Sequence, residues 1–144
     1  MERVNDTALL LGRLLMASLF LPSGINKAMG FGGFAQRLAE QGLPYEQAVA
    51  AVGIALEILL PIALIVGIFP RITALLLIVF VIAATGIGHR FWEFAEPARR
   101  GQEINFYKNV ALIGGLLFYY VSGPGAWSIA GRSVGVRAAQ PARA

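Results

Sequence analysis

The chain has no cysteine, a single histidine and little charge: of 144 residues only eight are Asp or Glu and twelve Lys or Arg. Without thiols there can be no disulfide, thiolate-held iron–sulfur cluster, cysteine-ligated zinc or thiol relay within the chain. His89 alone cannot supply the two axial ligands usual for an electron-transfer haem. Met16 and Met29 are formal substitutes, but a methionine in an apolar helix is far more often a packing residue. Phosphate-binding loops, nucleophile elbows and zinc-protease helices leave sequence patterns that are absent, and no metal site is read. The formal net charge of +4 is spread over the ends of apolar runs. That spread suits anchoring to lipid headgroups and gives no clustered footprint for nucleic acid.

What is abundant is apolar: 57% of the residues are hydrophobic and the mean hydropathy is positive. This balance indicates lipid as the solvent. At roughly 20 residues per span, four spanning helices with short connections use nearly the whole chain. The expected fold is all-α, an integral membrane four-helix bundle with short loops and an interfacial segment after the first helix. It forms one domain over residues 1–128, with helices at about 8–25, 47–69, 72–90 and 104–122. The basic tail, 129–144, is expected to be poorly ordered.

The first run resembles a signal peptide only by position, since Glu2 and Asp6 precede it, Arg13 interrupts it and no small-x-small cleavage site follows. Asn26 and Lys27 close it, and Gly30, Gly32 and Gly33 are expected to break the backbone. Phe34 and Leu38 then lie one turn apart, with Gln36, Arg37 and Glu40 opposite, which suits a helix lying flat on the membrane; an ordered loop fits equally well. Glu57 interrupts the second run, and Pro61 follows four residues later, implying a mild kink. Pro70 and Arg71 are expected to form a tight turn. His89, Arg90, Phe91 and Trp92 end the third run with an aromatic and basic interface signature.

Four spans place both termini and the Pro70 connection on one side of the membrane. Arg3, Arg71, Arg132, Arg137 and Arg143 on that side balance Lys27, Arg37, Arg90, Arg99 and Arg100 on the other, so the positive-inside count ties. The basic, acid-free tail favours cytoplasmic termini.

Polar side chains inside a bilayer cost a few kcal/mol even on lenient scales, so they face a partner or a cavity. Arg13 shares a helix face with Phe20, Gly24 and Lys27; Thr85 aligns with His89; Asn105, Lys108 and Asn109 align on the fourth helix. Asn26 and Lys27, His89 and Arg90, and Asn105 to Asn109 all reach the same membrane surface, with Glu57 at mid-depth. This implies a pocket open to the loop face, lined by Lys27, His89, Asn105 and Lys108 and floored by Glu57. Two uses compete: Glu57 pairs with Arg13 or Lys108 to brace the bundle, or the pocket receives the polar head of a lipid-soluble ligand such as a quinone. Proton or ion conduction would need more acids deeper in the bundle.

Leu11-Gly-Arg-Leu-Leu, Ser23-Gly-Ile-Asn-Lys, Glu57, Asn105-Phe-Tyr-Lys-Asn-Val-Ala-Leu-Ile-Gly-Gly115 and Gly123-Pro-Gly-Ala-Trp-Ser128 together resemble the DoxX family of small four-helix bacterial membrane proteins, from about Leu9 to Ser128. The resemblance implies a multi-pass inner-membrane protein related to the DoxD-type membrane subunits of thiosulfate:quinone oxidoreductases, and functional positions at Arg13, Ser23, Lys27, Glu57, Lys108 and Asn109. With Asn26, His89 and Asn105 from the pocket, these are the candidate ligand-binding residues. The implied role is a component of a quinone-linked redox system that binds quinone or a lipid-like ligand, or anchors a cofactor-bearing partner protein. It would have no intrinsic cofactor and act as a non-catalytic or accessory subunit, in contact with membrane lipid and open to homo-oligomerisation. The alternative is a structural or transport bundle without redox chemistry, its buried charges forming an ion-pair network. No catalytic residue is identifiable.

Overall fold

The computed structural model describes residues 2–131 and contains five α-helices. They are α1 (Glu2–Met29), α2 (Phe31–Glu40), α3 (Glu46–Val66), α4 (Pro70–Gly88) and α5 (Ala98–Ser122), with a single 3₁₀ turn, Phe91–Glu93, before α5. Among the described residues α1, α3 and α4 are each long and apolar enough to cross a membrane. The fourth long helix, α5, begins with Arg99, Arg100, Glu103 and Lys108 and becomes apolar only beyond Asn109.

Both outer helices extend past their apolar runs. Helix α1 starts six residues before the expected boundary and α5 starts at Ala98 instead of about 104. Hydropathy reports where lipid begins, whereas polar end turns stay helical in the interface. Two expected breaks are corrected. Only Gly30 separates α1 from α2, because Gly32 and Gly33 lie inside α2. The tight turn falls at 67–69 and not at Pro70–Arg71. Gly67 takes φ 67, its N–H donates to the Leu64 carbonyl at 3.2 Å and the Ile68 N–H to the Ala63 carbonyl at 3.1 Å, a Schellman closure. Pro70 then opens α4, where a missing N–H costs nothing.

Helix α1 packs along α3, α3 against α4, and α4 along α5, while α2 folds back over the start of α3. Phe20, Leu60, Leu64, Leu77, Val81 and Leu116 form the central core. Ala35, Leu38 and Ala50 form a smaller cluster beneath α2. Large apolar side chains also cover the outside: Leu15 is 71% exposed, Val79 63% and Phe118 80%. A surface of that kind is satisfied by lipid.

The segment after α5 folds inward onto the α3–α4 turn. The Ala130 N–H donates to the Gly67 carbonyl at 3.2 Å and the Ala126 N–H to Asp6 Oδ1 at 2.8 Å, so order reaches at least this far into the expected tail. The remaining tail, with Arg132, Arg137 and Arg143, and the Arg3 side chain lie outside the described residues.

Candidate functional site

Glu57 is buried near the middle of α3, and its partner is Lys27. The Lys27 Nζ donates to both carboxylate oxygens, at 2.9 Å to Oε1 and 2.7 Å to Oε2. Local sequence makes the approach feasible. Gly24, one turn before Lys27 on the same face, carries no side chain; a Cβ there would stand 2.8 Å from Ile58 Cγ1 and 3.4 Å from Glu57 Cβ. Lys27 also occupies the last turn of α1, where the helix dipole favours a cation, and its Nζ lies 5.2 Å from the centre of the Phe34 ring of α2. Pro61 has no N–H to offer the Glu57 carbonyl, so α3 is polar at this height in its backbone as well as its side chain.

The pair forms the polar end of a cavity of about 760 Å³, a size typical of small-molecule sites. Its walls come from α3 and α4, its roof from α2, and its rim includes His89 and Gln102. His89 Nδ1 lies 2.8 Å from Gln102 Oε1.

The structure brings together three of the sequence-selected residues, Lys27, Glu57 and His89, around one cavity. The others fall elsewhere. Lys108 is exposed and donates to Asn105 Oδ1 at 2.8 Å; neither lines the cavity, which corrects the expectation for both. Asn109 is buried, and its Nδ2 donates to Thr85 Oγ1 at 2.8 Å, while the Thr85 hydroxyl donates to the Val81 carbonyl at 2.6 Å. This chain braces α4 to α5. Asn26 is exposed and Ser23 half-buried, both outside the cavity lining.

Arg13 is corrected more sharply. It shares a face with Lys27, but fourteen residues, about 21 Å of helix, separate the two. It is 1% exposed. Its Nη1 donates to the Ile65 carbonyl at 2.6 Å and its Nη2 to the Trp127 carbonyl at 2.7 Å. Ile65 belongs to the last turn of α3, whose carbonyls lack helical donors, so the guanidinium closes that helix end and ties it to the segment after α5. Neither Arg13 nor Lys108, the two partners the sequence suggested for Glu57, bonds to it.

Three polar cavity residues were not selected from the sequence: Arg37, Gln41 and Gln102. Arg37 lay on the face of α2 read as facing water, and Gln102 lay in a stretch read as loop; the helical continuation of α5 down to Ala98 is what lifts Gln102 to His89. Chemically the site offers an ion pair, a further cation at Arg37, an imidazole and two amides around one largely apolar chamber. Among the described residues no three His, Cys, Asp or Glu side chains converge as metal ligands.

A family model described as DoxX matches residues 8–90. The chain is 34% identical to the inner membrane protein YphA of Escherichia coli K12 over 121 residues, 84% of this chain and 86% of that protein. It is 32% identical to the inner membrane protein YqjF of the same strain over 129 residues, covering 90% and 94% of the two. No solved structure matches the chain.

Proposed function

The chain belongs to the DoxX family, as an inner-membrane protein, and from that premise we propose that it serves a quinone-linked redox system by holding the head of a quinone or lipid-like ligand at the Lys27–Glu57 end of the cavity. The observation that carries the reading is an ion pair between a buried carboxylate and a half-buried lysine that lines, instead of filling, an apolar chamber. Lys27 uses two of its donors on Glu57 and retains a third; His89, Arg37, Gln41 and Gln102 add donors and acceptors suited to carbonyl or hydroxyl groups. With no cysteine and one histidine, the chain has few ligands for a redox centre, so the reading assigns that centre to a partner protein. The same reading puts the termini in the cytoplasm, on the strength of the basic, acid-free tail.

Thermal unfolding of the purified protein with decylubiquinone tests this. At a concentration of about 100 times Kd, a ligand bound only by the folded state stabilises it by about 2.7 kcal/mol. Lys27→Met keeps the apolar stem and removes the charge; it should abolish the stabilisation, while Lys108→Met, outside the cavity, should keep it. A wild-type protein indifferent to quinone would overturn the proposal.

One observation favours the bracing alternative: Lys27 bonds both oxygens of Glu57 and thereby ties α1 directly to α3. Under bracing alone, Lys27→Met lowers stability with or without quinone, and quinone adds nothing to the wild type.

A further inference from the structure

We infer that the cleft between α3 and α4 holds a hydrocarbon chain, so that the ligand is a chain-bearing membrane amphiphile admitted sideways from the lipid; this rests on the binding reading above. Helices α3 and α4 are joined by a three-residue turn at Gly67, and the cavity lies between their far halves. Two wall residues, Leu76 and Val79, belong to the cavity lining yet are 47% and 63% exposed, more than a closed chamber would leave them. A side chain that both lines a chamber and faces outward marks an opening, and at this height outside means hydrocarbon. The wall is widened where side chains are small. Gly53 has nothing within 4 Å of the position its Cβ would take, and Ala83 and Ala84 face it from α4. The cavity is roofed by α2, with Phe34 and Leu38 in the lining and Leu38 anchored in the cluster with Ala35 and Ala50.

The chamber is thus polar at the Lys27–Glu57 end, apolar along α3 and α4, and open toward lipid. A molecule that satisfies all three features has a compact polar head and a flexible chain. A small hydrophilic solute would fill the polar end and leave the cleft to annular lipid. An isoprenoid and an acyl chain share this chemistry, and they are separated by the head they carry.

Reconstitution in phosphatidylcholine nanodiscs allows the test. Thermal stabilisation by decylubiquinone is compared with that by the same quinone head without a chain, and decanoate is compared with acetate. The chain-bearing member of at least one pair should bind at least tenfold more tightly. Stabilisation within the quinone pair identifies an isoprenoid-type ligand, and within the acid pair an acyl ligand; either supports the inference. Ala83→Trp, which fills the cleft from an exposed position, should remove the preference for the chain. Leu75→Trp, also at an exposed position of α4 but outside the cavity lining, should retain it and shows that the helix tolerates the bulk. If the chainless quinone stabilises as well as decylubiquinone, and Ala83→Trp has no effect, the chain site is wrong and the head site stands. If no member of either pair stabilises the protein, both are overturned.

Discussion

Lys27 and Glu57 show how unequal the consequences of single changes can be inside a bilayer. The carboxylate side chain is 7% exposed and the lysine 29%, so removing either leaves a charge with little water to compensate it. Glu57→Leu alone should cost about 3 kcal/mol, whereas Lys27→Met with Glu57→Leu should cost less than either single change. Chemical or thermal unfolding of the four proteins in one detergent checks this, and a double variant less stable than both singles would show that the pair is not what holds α1 to α3. Gly24 is the silent member of the site. Gly24→Ala should push Ile58 aside and weaken the α1–α3 contact by about 1–3 kcal/mol, read as a fall in Tm. The presence of Glu57 inside a helix was legible in the sequence, since one acid in a long apolar run is conspicuous. Its partner was not, because the periodic pattern offered Arg13, Lys27 and Lys108 alike as cations on faces that could turn inward, and Lys108 in fact lies at the surface.

At the level of elements, hydrogen bonds between helices decide what apolar packing leaves open. Thr85→Val keeps the shape of the side chain but strands the Asn109 amide, which now donates to it. The expected loss is about 1–2 kcal/mol, most of it recovered when Asn109→Leu is added, as a double-mutant cycle would record. The α3–α4 turn is stricter. Gly67 has φ 67, and a Cβ there would lie 2.5 Å from Ser128 Cβ, 2.8 Å from Pro124 Cβ and 3.0 Å from Arg13 Nη1. Gly67→Ala therefore combines left-handed strain with a clash between backbone-anchored groups, and should lower stability by about 3 kcal/mol or prevent insertion. Expression and gel-filtration profiles would reveal either outcome. The sequence marked these helices by their apolar runs but misplaced the turn, because Pro70 is a visible breaker while Gly67 acts through backbone conformation alone.

For the whole molecule, the residues after α5 belong to the fold through Arg13. A chain ending at Ser122 loses the Trp127 carbonyl that the guanidinium binds, and should unfold at a lower temperature by the equivalent of about 3 kcal/mol, the penalty of an under-compensated buried charge. A chain ending at Gly131 keeps every one of these contacts and should melt like the full-length protein; equal melting of the two truncations would deny this role to residues 123–131. The sequence by itself determined the solvent, the helical class, the long apolar runs and the short set of ionisable residues that must be accounted for inside them. Those are properties of composition and of local period, and they survive in any arrangement of the helices. Only the tertiary structure decided that α1 lies along α3 while α5 lies along α4, and this sends Lys27 to Glu57, Arg13 to the end of α3 and Lys108 out to the surface. Such assignments depend on depth along the axis and on which faces meet across the bundle, quantities that a periodic pattern repeats at every turn and therefore cannot distinguish.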